Sequence, residues 1–233
     1  MIPTIFDHVL VILLGLVLPF FSGIRGNDKL MQIHFDEITR RKFFISNSII
    51  LWLLTLVVVF NWIFQQRSLT LMGFRNISSF QIPFLLAGLF MFLYVIDIFF
   101  TIRNSHWEKS YKQWEASLPF LPERYKEIPA YIFMCISAGI CEEIMFRGFL
   151  VNYFIDPMKD GFPWIAIFAP AILFSLAHYY QGILAVMKIA TLSLLFGLIF
   201  IYSNSLWIVI SLHFLVDLLG GIVAIEYKRR SLE

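Results

Sequence analysis

Seven apolar blocks fill most of the 233-residue chain: Ile2–Phe21, Phe44–Phe64, Ile82–Ile102, Ile128–Ile155, Phe162–Tyr180, Ile183–Tyr202 and Leu206–Tyr227. A hydrocarbon core about 30 Å thick takes about 20 apolar residues of helix to cross, and each block is near that length. Hydrophobic residues make up 59% of the sequence and charged residues 15%, with a mean hydropathy of +0.78, which sets aside a water-soluble fold. The blocks are continuous rather than alternating, so they read as helices and not as barrel strands. The expected fold is all-α, a polytopic membrane helix bundle of about seven transmembrane helices. An eighth could hide as a short reentrant segment in Leu69–Phe80 or in the long fourth block.

Basic residues give the orientation. With seven spans, one side holds thirteen Lys and Arg, from Arg25 in the first connection to Arg230 in the tail, and the other holds only Arg67, Arg75 and Lys159. Cytoplasmic loops retain the basic residues, so the C-terminus is expected in the cytoplasm and the N-terminus outside, in the plasma (inner) membrane of a prokaryote. The first block lacks a basic n-region and is expected to remain as a span; the sequence ends without a lipidation signal. Trp107, Tyr111 and Trp114 recur at helical spacing among charges, which predicts an interfacial helix on the cytoplasmic face. The expected division is 1–127 for the N-terminal spans and that connection, 128–227 for a catalytic helix core and 228–233 for a basic tail. A net charge of +2, with the basic residues accounted for by topology, argues against a nucleic-acid partner. Cys135 and Cys141 would point about 240° apart on one helix, so neither a disulfide nor a shared metal site follows.

An ionised side chain near the bilayer centre costs about 2.5–3.5 kcal/mol on insertion scales, so deep charges are a functional hypothesis by default. Glu142, Glu143 and Arg147 lie about 14 residues, or about 21 Å of helix, into the fourth block. Glu143 and Arg147 are i, i+4 neighbours, which predicts a salt bridge between them. Glu142 points about 100° away, free to face a cavity as a general base. His178 closes the fifth block, and the seventh carries His213 and Asp217 on one face. Asp97, Lys188 and Glu226 lie near helix ends and are read as snorkelling structural residues. Asp7, His8, His34 and His106 are read as solvated.

In three places the chain resembles the CPBP intramembrane protease family, also called ABI or CAAX-protease-like, whose founding enzymes are the type II CAAX prenyl endopeptidases. Glu142-Glu143-x-x-x-Arg147 is similar to the paired-glutamate motif, Phe174-x-x-x-His178 to the second, and His213-x-x-x-Asp217 to the third. The resemblance covers about Tyr131–Gly221. It implies an intramembrane endopeptidase with Glu142 activating water, and with His178, His213 and Asp217 completing the site. Glu143, Arg147 and Phe174 would support it structurally. His178 and His213 would serve either as metal ligands or as donors to water and oxyanion. The position of Asp217 is Asn in the prenyl-protein proteases; an ionised Asp repels an oxyanion and suits metal ligation, or fixing the tautomer of His213.

Metal dependence stays open: a divalent metal (zinc) would sit on His178, His213 and Asp217, and no His-Glu-x-x-His spacing supports it. Expected partners are a peptide or protein substrate, lipid-modified in some family members, and membrane lipids. Two other readings compete: a noncatalytic scaffold or immunity-type protein of the same fold, and an ion- or proton-coupled transporter using the same side chains. On the expected topology His178 sits close to the cytoplasmic end of its span, shallower than Glu142. The two depths agree if the Tyr179–Gly182 connection dips into the bundle around a cytoplasm-facing cleft.

Overall fold

The computed structural model describes residues 2–24, 32–103, 118–155 and 163–231. Every regular element among them is helical, as the block pattern predicts. Helix α1 (Ile5–Ile12) runs on through π-helical turns at Leu13–Val17 and Pro19–Ile24; α2 is Glu37–Phe64, α3 Leu69–Met72 and α4 Gln81–Arg103. Helix α5 (Ile128–Glu143) continues as a π-helix over Ile144–Val151 and ends in α6 (Asn152–Ile155). Then come α7 (Trp164–Ala177), a 3₁₀ turn at Tyr179–Gln181, α8 (Ile183–Ser203) and α9 (Leu206–Arg230).

Six of these helical stretches are long and apolar enough to cross a membrane. The fifth block differs from expectation. Its helix has 14 residues, about 21 Å at 1.5 Å per residue, short of a full hydrocarbon core. Pro163 stands at its start, Pro170 lies inside it, and the helix stops at His178. The Leu69–Phe80 segment is no span either. Its short α3 buries Met72 against Gly148, and its loop is tied to the α8–α9 connection by Leu206 N to Gly73 O at 3.0 Å and Ser205 Oγ to Arg75 O at 2.9 Å. It plugs one end of the bundle. The predicted interfacial helix with Trp107, Tyr111 and Trp114 lies outside the described residues, as does His106.

Helix α5 and its π continuation form the central rod. In Tyr125–Ile155, 56% of the most apolar window is buried, against 11% in Gln81–Phe100, so α4 faces lipid while α5 is wrapped by protein. The main packings are α2 on α5, α9 on α5, and α7 on α8. Between membrane helices such contacts depend on close van der Waals approach, and Gly139 supplies it. A Cβ there would lie 3.2 Å from Ile210 O and 3.3 Å from Phe214 N, so the α5 and α9 backbones nearly touch. One helical turn further along α5 stands Glu143, opposite His213.

Two polar clamps close the ends. Asp7, expected to be solvated, is fully buried. It accepts from Thr4 N at 2.7 Å, Asn61 Nδ2 at 2.8 Å, and Arg67 Nη1 and Nη2 at 2.9 and 2.6 Å. A helix-end carboxylate thus joins α1, α2 and the turn after α2, because three sets of donors replace water. His8 is exposed, with Nδ1 2.6 Å from the Tyr153 hydroxyl, and His34 is exposed. At the other end Arg40, 4% exposed, pairs with Glu127 at 3.0 Å and Glu123 at 3.1 Å. Beside it Asp36 caps α2; hydrogen bonds from Thr39 hold its carboxyl below the usual carboxylate range. Both cysteines are buried free thiols.

Candidate active site

Three helices carry the polar residues that the motifs single out. Glu142 and Glu143 end the α-helical part of α5, and Arg147 sits in the π-helix that follows. π turns are rare and recur at functional sites; here one begins directly after the Glu pair. Glu143 and Arg147 are essentially inaccessible, at 0% and 2%. Arg147 Nη1 donates to Glu143 Oε1 at 2.8 Å, and Nη2 donates to Ser193 Oγ at 2.7 Å on α8. The guanidinium also lies 5.0 Å from the Phe174 ring centre and 5.5 Å from that of Phe196. A cation this deeply buried is tolerable because both terminal nitrogens have acceptors and two aromatic rings lie against it.

Glu143 has a second partner that the helical spacing does not reveal. His213 Nδ1, on α9, lies 2.7 Å from the same Oε1, while Oε2 is buried without a partner. The Nδ1 of His213 is thus held by Glu143 and not by Asp217, contrary to the tautomer-fixing role open to Asp217 from sequence. Asp217 Oδ2 instead lies 3.6 Å from His213 Nε2, and Glu142 Oε2 lies 3.7 Å from the same nitrogen. A single imidazole edge therefore faces two carboxylates.

His178 follows the last turn of α7, and its Nδ1 takes the Phe174 carbonyl 2.8 Å away as acceptor. That leaves Nε2 as its remaining ring nitrogen. Phe174 stands between the histidines, its ring 4.6 Å from that of His178 and 6.0 Å from that of His213, centre to centre. The end of α7 and the turn at Tyr179–Gln181 bring His178 in among the other residues that line the cavity.

Glu142, His178, His213 and Asp217 line one cavity of about 420 Å³ with Arg147 and Ser193. Its other walls are mostly apolar and aromatic, including Phe43, Phe120, Tyr131 and Tyr180. The lining from Phe43, Leu118, Phe120 and Leu121 extends it toward the end of the bundle that holds Arg40 and Glu127. Tyr131 donates its hydroxyl to the Asp217 carbonyl at 2.8 Å, pinning the backbone that carries the carboxylate.

No group of three His, Cys, Asp or Glu side chains placed to hold a metal ion is found among the described residues; His213 Nε2 lies 3.6 Å from Asp217 Oδ2 and 3.7 Å from Glu142 Oε2. Sequence reasoning missed Ser193 and Tyr131. A lone Ser in an apolar span was the available signal for the first; a Tyr hydroxyl on a backbone carbonyl leaves none.

Fold and cluster together define a polytopic helical membrane protein with a carboxylate–histidine site enclosed between its helices. Residues 124–219 match the family described as type II CAAX prenyl endopeptidase Rce1-like. That segment takes in α5, α7, α8 and the first half of α9, and with them every residue of the cluster. Through it the chain is similar to the CAAX-protease family that its three motifs indicate, which supports a membrane endopeptidase of that general type. No curated protein and no solved structure matches the chain.

Proposed function

We propose that this protein is an intramembrane endopeptidase in which Glu142 activates the attacking water. The observation that carries the reading is the convergence of Glu142, His178, His213 and Asp217 on one cavity inside an apolar bundle. Its volume of about 420 Å³ falls within the range of small-ligand sites and admits a short stretch of peptide.

Glu142 is the carboxylate without an ion-paired cation on its own helix, and it faces the cavity. It takes a proton from water as the oxygen bonds to the scissile carbonyl carbon, and the carbonyl π electrons move to oxygen. Each histidine, anchored at Nδ1, turns Nε2 to the cavity, where the neutral ring accepts a hydrogen bond from the attacking water and a protonated ring donates to the developing oxyanion. When the C–N bond breaks, the proton held by Glu142 passes to the departing amine, leaving a carboxylic acid and an amine as products. Asp217 completes the pocket wall opposite Glu142 across the His213 edge. The substrate is a membrane-associated peptide or protein, with lipid modification as one form the apolar walls accommodate. The cleft opens to the cytoplasm, with the N-terminus outside, a reading supported by the basic-residue bias.

The test is cleavage by the full chain in lipid vesicles, using a quenched fluorogenic library of short apolar peptides. Wild type cleaves a subset; Glu142→Gln and His213→Ala retain the fold and lose cleavage. A Glu142→Gln protein that cleaves at the wild-type rate sinks the assignment.

A further inference from the structure

We propose that Glu143 is a positioning residue that acts through His213, setting which ring nitrogen is presented to the cavity. The inference rests on the endopeptidase reading above. Glu143 contributes nothing to the cavity wall, and its carboxylate is fully enclosed. Its Oε1 already accepts from Arg147 Nη1 at 2.8 Å when His213 Nδ1 approaches to 2.7 Å. The opposite tautomer would aim a nitrogen lone pair at a carboxylate oxygen, so Nδ1 carries the hydrogen and Nε2 is the nitrogen turned to Glu142 and Asp217.

The hold extends outward through a chain of contacts. Ser193 on α8 fixes Arg147, Arg147 fixes Glu143, and Glu143 fixes the imidazole on α9. Three separate helices thereby determine the rotation of one ring. Gly139 makes the arrangement possible, since a larger residue there would move α9 away and lengthen the 2.7 Å contact. A metal ligand or catalytic acid is commonly oriented by a carboxylate on its far nitrogen; here that partner is the second member of the Glu pair.

The experiment has two arms. In the first, the full chain with ¹⁵N-labelled histidine is examined by NMR in detergent, and His213 is assigned by the signal lost in His213→Gln. Hydrogen on Nδ1 in wild type is the expected result; an Nδ1 without hydrogen overturns the proposal. In the second arm Glu143→Gln is assayed on whichever library peptide wild type cleaves fastest. Its side-chain oxygen can still accept both donors, but the charge is gone. The expected result is a fall in kcat of about 100-fold or more with KM within about threefold of wild type. Wild-type kcat per folded molecule in Glu143→Gln overturns the positioning role. A Glu142→Gln protein that still cleaves, alongside an Nδ1–H signal from His213, refutes water activation by Glu142 while leaving the hydrogen bond standing.

Discussion

Gly139 and Phe214 meet backbone to backbone: a Cβ on Gly139 would sit 3.3 Å from the Phe214 nitrogen and 3.6 Å from its Cα. This contact sets the distance between the helix that carries the Glu pair and the helix that carries His213 and Asp217. Gly139→Val is expected to destabilise the protein by about 1–3 kcal/mol through overpacking. It should also reduce cleavage more steeply than the loss of folded protein explains. Thermal unfolding in detergent, measured beside peptide cleavage per folded molecule, checks both.

Arg147 and Glu143 form a buried pair in which either partner alone is costly. Arg147→Met leaves an uncompensated carboxylate and is expected to lower stability by about 3–5 kcal/mol. The double variant Glu143→Leu with Arg147→Met should recover most of that stability without recovering cleavage. Recovery of both would reduce the pair to packing.

Asp217→Asn is expected to keep cleavage within about tenfold of wild type, because an amide of the same shape can donate to an oxyanion where a carboxylate cannot. The Tyr131 contact survives the change, since it is made to the Asp217 backbone carbonyl. Asp217→Leu should lose far more. Steady-state kinetics of the two variants on one peptide decide the matter.

Treatment with a chelator is expected to leave cleavage intact, since the proposed water activation uses Glu142 and the histidines alone. Loss of activity that added zinc restores would transfer the activation of water from Glu142 to a metal.

At the other end of the bundle, Asp7→Ala should cost about 2–3 kcal/mol by stranding the half-buried Arg67 side chain and the Asn61 amide. kcat of the folded fraction should stay near wild type. Asp7 lies at the end of the bundle away from Arg40, Glu127 and the cleft, so a change in kcat would reveal coupling between the two ends.

The helical architecture was readable because membrane spans announce themselves by length and composition, and the candidate site because charges at that depth are rare. Glu143 with Arg147 follows from i, i+4 spacing alone. The contact between Glu143 and His213 does not, since it joins positions 70 residues apart across the close approach at Gly139. Asp7 was misread because its donors, Asn61 and Arg67, are distant in sequence; burial of a charge depends on partners that a single segment does not display. The fifth block looked like a full span because hydropathy does not register where a helix stops. His178 ends that helix, and the two tyrosines after it prolong the aromatic run without prolonging the helix.

The brevity of α7 has a consequence for the lipid around it. A helix of about 21 Å beside neighbours built for about 30 Å presents the bilayer with a hydrophobic mismatch on one flank. Thinning of the bilayer beside it would draw the headgroup region and its water inward toward the end of α7 that bears His178. A hydrolase set among membrane helices has to admit water without admitting it everywhere. A locally thinned patch beside a single truncated helix provides a route of that kind, while the longer spans keep the rest of the protein dry.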